Sequence, residues 1–256
     1  MRTETSTPLP VETIRFGDIL AAERIKISTL PASWIALTVA FGANTLLGAV
    51  AATDVVRIAG QDGPIARLGT LMLAPVYVFV AIAVFAAGSE YRGGQLRVSL
   101  AVVPGRDRLF AAKLTVSTTL SLIASIPAVL PGYALWHAAE VRSGEPGTRD
   151  VVIGFLALLT AYLLLGLIGH GFAVVAKTVV TPLAVLLITP ILISPAFRST
   201  LPHLVRFLPH EAALSLLGMP ADPATALDPV AGLLVLAAWA ALSVAVAWRV
   251  FVRRDG

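Results

Sequence analysis

VVIGFLALLTAYLLLGLIGHGFAVVA, residues 151–176, contains no Asp, Glu, Lys or Arg. A bilayer core about 30 Å thick is crossed by roughly 20 apolar residues in an α-helix, which satisfies its backbone N–H and C=O groups internally. The run therefore predicts a transmembrane helix. Five further uncharged runs of similar length lie at 33–53, 68–89, 114–137, 178–197 and 229–248. Only Lys177 separates the fourth run from the fifth, which predicts a tight helical hairpin. Pro182, Pro190 and Pro195 lie in the fifth run and predict a bend, because proline removes backbone donors.

The rest of the composition agrees with an all-α membrane protein of six spans. The 256 residues are 57% hydrophobic and only 13% charged, with a mean hydropathy of +0.86, which excludes an ordinary soluble globule. The net charge of +4 is small and scattered, so nucleic acid is not an expected partner. The absence of cysteine excludes disulfides, thiolate metal sites and cysteine nucleophiles, and the four histidines are too dispersed for zinc. Six crossings place both termini on one side. Thirteen Lys and Arg lie on that side against 6 on the other, so the positive-inside bias puts the termini in the cytoplasm of an inner-membrane protein. The expected layout is a cytoplasmic tail and interfacial helix at 1–32, a six-span domain at 33–248 and a cytoplasmic tail at 249–256. The first apolar run follows a long charged lead and is too long for a signal-peptide core, so it is expected to be retained.

Two cytoplasmic segments carry further information. On a helical wheel of 14–30, Phe16, Ile19, Leu20, Ile27 and Leu30 share one arc, predicting an amphipathic interfacial helix. Glu23 intrudes on that stripe. Either it faces protein, or it snorkels and pairs with Arg24 or Lys26. The loop 90–113 holds five basic residues. After Gly94 it predicts a short helix with Leu96, Leu100 and Val103 on one face and Arg97 to the side, stopped by Pro104 and Gly105. Its two readings are a docking element and a solvated basic loop. On the other side, the loop 198–228 contains half-apolar stretches too short to span, which predict short interfacial or re-entrant helices before the last span.

These residues resemble the ABC-2 type permease subunits of ATP-binding-cassette exporters, in particular the compact actinobacterial kind. Glu23-Arg24-Ile25-Lys26 ahead of Trp34 is similar to that family's N-terminal pattern. Glu90-Tyr91 with Gly94, Arg97, Leu100, Pro104, Arg106 and Ala112-Lys113 is similar to its first cytoplasmic loop, and Phe207-Leu208-Pro209 to its extracellular turn. Gln95 and Ile25 depart from the pattern, which usually has Thr and often Trp there. The resemblance implies that 14–30 is the elbow helix, with Glu23 and Lys26 its marked residues. It implies that 90–104 holds the coupling helix, with Glu90, Tyr91, Arg92, Arg97 and Leu100 facing a cytoplasmic ATPase subunit. Two permeases, identical or paralogous, would enclose a pathway for a hydrophobic or amphiphilic cargo such as a drug or lipid. ATP and Mg would be bound by the partner ATPase.

The chain's own chemistry fits a non-enzyme. No Gly-x-x-x-x-Gly-Lys-Ser/Thr loop is present to cradle phosphates, so a nucleotide site is expected on a separate polypeptide. No Gly-x-Ser-Gly is present for an intramembrane serine protease. Two polar groups lie within the spans. Asn44 reads as an interhelical hydrogen-bonding residue or a cargo contact, and His170 as an interhelical hydrogen-bonding residue or a functional group. Ala237, Ala241 and Ala245 on the last span, and Gly48 with Ala52 on the first, form small-residue ridges that permit close helix approach. The rival reading is a self-contained ion-coupled transporter or a structural subunit of another complex. Ion coupling calls for intramembrane carboxylates or lysines, and the six runs hold none.

Overall fold

The structure is a computed structural model that describes residues 14–53, 73–92, 94–103, 105–143 and 147–253. The described residues are mostly helical, without a strand among them. The helices are α1 (Phe16–Thr29), α2 (Pro31–Ala51), α3 (Pro75–Phe79), α4 (Ala81–Gly88), α5 (Gln95–Val102), α6 (Arg106–Ser143), α7 (Thr148–Ala176) and α8 (Val180–Ile188). They continue with α9 (Ser194–Phe197), α10 (Pro202–Val205), α11 (Pro209–Leu216) and α12 (Pro229–Arg253). A π-helical stretch, Thr189–Ile193, joins α8 to α9, and 3-10 turns lie at Ser89–Tyr91 and Pro223–Thr225.

Five helical stretches are long and apolar enough to cross a membrane: α2, the Arg106–Ala138 part of α6, α7, Val180–Phe197 and α12. The paired segments Pro75–Tyr91 and Gln95–Val102 pass the same test together and meet at a bend of 82°, so five stretches among the described residues, or six if that pair counts as one, are able by length and composition to cross a membrane. The first part of the 68–89 run, the loop ahead of it, both extreme termini, Gly93 and Pro104 lie outside the described residues.

Local signals explain where the helices begin and turn. The Asp18 carboxylate accepts the Arg15 backbone N–H at 3.0 Å and closes the first turn of α1. Proline opens α2, α3, α10, α11 and α12, where its missing N–H has no helical partner to lose. Between α7 and α8 the chain reverses at Lys177, whose φ of +54° ends α7 in a left-handed residue. The expected hairpin is thus made by one non-glycine residue, with a cation at a helix C-terminus where the dipole favours it. The expected disturbance of the fifth run falls at Pro190, inside the π-helical stretch.

α6 has 38 residues, which at helical rise is about 57 Å, nearly twice a hydrocarbon core. Its first turns therefore project beyond the apolar layer and carry Arg106, Asp107, Arg108 and Lys113. α2 and α1 lie along α6, while α7 packs between α4 and α12. Tyr162, Phe79, Leu165, Ile168 and Leu236 form the centre of the core. At the crossing of α2 and α6, a Cβ on Gly48 would lie 2.0 Å from the Gly132 carbonyl oxygen, and one on Gly132 2.1 Å from that of Asn44. Two backbones touch there, as small-residue crossings in lipid allow. The alanine ridge on the last span has the opposite orientation. Gly232, Leu236, Ala240, Ser243 and Ala247 make the packed face of α12, while Ala241 and Ala245 are exposed and Ala237 lies between.

The two short helices α10 and α11 do not float clear of the bundle. His210 through Ser215 of α11 are all buried, with Ala212, Ala213 and Leu214 wholly so, against α12 and α7. Trp239, well inside α12, donates its indole N–H to the Phe207 carbonyl at 2.8 Å, which anchors the segment between the two short helices.

Candidate functional site

α1 buries Ile19, Glu23 and Ile27, one residue every four, against α6 and α4. The carboxylate in the middle of that stripe is 2% exposed and needs partners. It has two. Glu23 Oε1 accepts from Lys26 Nζ at 2.8 Å, and Glu23 Oε2 from Lys113 Nζ at 2.9 Å. Both readings of Glu23 hold at once: it faces protein, and it pairs with Lys26.

The same two ammonium groups meet a second carboxylate. Lys26 Nζ donates to Glu90 Oε1 at 2.8 Å, and Lys113 Nζ lies 2.6 Å from Glu90 Oε2. Glu23, Lys26, Glu90 and Lys113 therefore form a closed ring of alternating charge that is neutral overall. Lys26 gives its third N–H to Ser99 Oγ on α5 at 3.1 Å, so the three donors of the ammonium are all engaged. Glu90 and Lys113 are each 4% exposed, whereas the Lys26 side chain keeps 41% of its surface in contact with the outside. Burial lowers the Lys26 ammonium, but its bonds to Glu23 and Glu90 outweigh burial and hold it above the ordinary lysine value of 10.5.

One ring thus fastens α1, the turn after α4, α5 and the base of α6. Glu23, Lys26 and Glu90 are legible as special positions in the sequence, and Lys113 belongs to the loop motif. Ser99 was missed, because a single serine in a short helix carries no distinguishing signal. At the same end of the bundle, Trp248 on α12 donates to Asp107 Oδ1 at 2.9 Å.

α5 begins after Gly94, whose φ of +74° turns the chain into the helix. Leu96, Leu100 and Val103 pack on the core from this helix, as the spacing predicts. Arg97, Val98, Ala101 and Val102 make the outward face, with Val98 67% and Val102 56% exposed. Of the residues expected to face a partner, Arg92 and Arg97 are exposed, Tyr91 is half-buried, Glu90 belongs to the ring, and Leu100 points at the bundle.

The two intramembrane polar residues differ. Asn44 donates to Tyr162 Oη on α7 at 2.9 Å and to the Ala40 carbonyl at 3.0 Å, while Tyr162 donates back to Asn44 Oδ1 at 3.1 Å. These bonds tie α2 to α7. His170 is 1% exposed, and its ring stands edge-on to Phe110 at 6.4 Å. Neither ring nitrogen meets strict hydrogen-bond geometry with any described residue.

A second buried polar cluster sits at the opposite end and was missed in the sequence. Glu211 of α11, 1% exposed, accepts from Ser194, from Arg198 Nη2 at 2.7 Å and from Thr225 Oγ1 at 3.1 Å. Beside it, His210 Nδ1 and the Tyr77 hydroxyl are 2.6 Å apart. A carboxylate within a short, mostly apolar stretch was the available signal. No family model matches the chain, and no curated protein matches it.

Proposed function

We propose that this chain is the membrane-spanning permease subunit of an ATP-binding-cassette exporter of the ABC-2 type. In this reading the bundle has six spans, α3 and α4 belonging to the second, and α1 is an elbow helix on the cytoplasmic leaflet. α5 is the coupling helix, α10 and α11 are short extracellular helices, and both termini are cytoplasmic. Two copies, or one copy with a related permease, enclose the pathway for a hydrophobic or amphiphilic cargo. Two cytoplasmic ATPase subunits carry the ATP and Mg.

The observation that carries the reading is the charge ring. A permease without a fuel site must take up work through a rigid element outside the membrane. α5 meets that need. It is held to the bundle by Leu96, Leu100 and Val103 and to the ring by Ser99, and it presents Arg97, Val98, Ala101 and Val102 outward. A push on that face would reach α1 and α6 through the ring. Such coupling selects between two discrete arrangements of the spans.

The test uses the chain's lack of cysteine. Single cysteines placed at Val98 and at Phe207 are labelled in intact cells with a membrane-impermeant maleimide. The expected result is labelling at Phe207 alone, and a Walker-motif ATPase that co-purifies with the tagged permease and drives cargo efflux. Labelling at Val98 from outside, or cargo movement by the purified chain alone on an ion gradient, overturns the reading in favour of the self-contained transporter.

A further inference from the structure

Beside the Glu211 cluster lies a cavity of about 480 Å³, within the range of small-molecule sites. Its polar border is made by Tyr77, Arg198, His210 and Asp222, and its apolar wall includes Leu187, Pro190 and Ile191. Leu187 is 48% and Ile191 59% exposed, so this wall opens sideways from the bundle. The site is therefore amphiphilic: a charged rim at the helix ends above a lateral apolar groove.

The charge pattern decides what fits. The Arg198 guanidinium is matched by Glu211, and the three bonds that Glu211 accepts occupy both of its oxygens. His210 and Tyr77 satisfy one another through Nδ1 and the hydroxyl. Asp222 is different. Its Oδ1 accepts the Ala224 backbone N–H at 2.8 Å, but no cation pairs with it among the described residues. The rim thus holds one carboxylate without an opposite charge, in a cavity also lined by Tyr77, whose aromatic ring attracts cations through its π face.

We propose that this cavity binds a cationic amphiphile, its positive head between Asp222 and Tyr77 and its apolar body along Leu187, Pro190 and Ile191. The site lies wholly within one chain, and binding to it does not depend on any ATPase. The proposal therefore stands or falls separately from the exporter reading.

The test measures fluorescence anisotropy of rhodamine 6G, a cationic amphiphile, on the purified full chain in phosphatidylcholine nanodiscs. Neutral Nile red and anionic anilinonaphthalene sulfonate serve as comparison probes. Asp222→Asn keeps the side-chain oxygen that accepts from Ala224 and removes only the charge. It is expected to weaken rhodamine binding about fivefold while leaving Nile red unchanged. Ile191→Trp, at an exposed position that tolerates bulk, fills the groove and is expected to abolish saturable rhodamine binding. Unchanged rhodamine affinity in either variant, or equal affinity for the anionic probe, overturns the proposal.

Discussion

Glu23 and Lys113 stand 90 residues apart in the chain, yet their charged atoms meet at 2.9 Å with both side chains at most 5% exposed. Removing one member of a buried pair leaves a charge without compensation, which typically costs about 3–5 kcal/mol. Lys113→Met should therefore lower stability by about that amount, measured by denaturant unfolding in detergent. Glu23→Leu combined with Lys113→Met should recover part of the loss, because the ring then keeps one carboxylate and one ammonium. Strictly additive losses would show that the two groups are not coupled.

Lys26 gives the ring a pH signature. Its folded-state value is raised, so its contribution is complete below the ordinary lysine value of 10.5 and fades as pH climbs through the raised value. The thermal midpoint of Lys26→Gln should fall below that of the parent by a constant margin from pH 7 to pH 9. The margin should close only at pH above about 10.5. A margin that shrinks between pH 7 and 9 would place the ammonium at a lowered value, without its two carboxylate partners.

The contact of Gly48 with Gly132 gives a steric prediction with an internal control. Gly48→Ala sets a methyl group 2.0 Å from a backbone oxygen, and no rotamer change can relieve that, so a loss of about 3 kcal/mol is expected. Gly42→Ala lies six residues away on the same helix with nothing within 4 Å, and should be neutral or slightly stabilising. Equal melting temperatures for the two variants would separate α2 from α6.

These contrasts show what could be read from the sequence. Five of the six uncharged runs became helices long enough to cross a membrane, because run length alone decides that question in lipid. Which face of a span packs inward was not legible. On α12 both faces are apolar, so the alanine ridge and the Leu236–Ala240–Ala247 face carry the same signal, and only the fold separates them. In the site, Glu23 was conspicuous as a charge on an apolar stripe. Its partner Lys113 was one of several basic residues in a loop, and Glu211 gathers partners from two separate segments, 194–198 and Thr225, that no local pattern connects.

Asn44 and Tyr162 exchange hydrogen bonds between α2 and α7, and double-mutant cycles of such pairs in membranes give about 0.6–1.7 kcal/mol. Asn44→Leu and Tyr162→Phe should each destabilise, with a coupling energy in that range. Transport by Tyr162→Phe should track its folded fraction. A specific loss of cargo affinity at unchanged stability would instead make the pair a cargo contact.

The two faces of α5 should separate docking from folding. Leu100 packs on the core, so Leu100→Asp must press a carboxylate against apolar side chains or peel the helix away, and either route costs stability. Val98 is 67% exposed, and Val98→Asp there should change unfolding free energy by no more than about 0.5 kcal/mol. If a partner rests on α5, Val98→Asp and Arg97→Glu should abolish ATPase co-purification while the variants melt like the parent. Leu100→Asp should lose the ATPase only together with the fold. The contrast matters because a variant defective in both respects says nothing about the interface. A stable Val98→Asp that keeps its ATPase would move the docking surface off α5, toward the exposed Arg92 or the ends of α6 and α12.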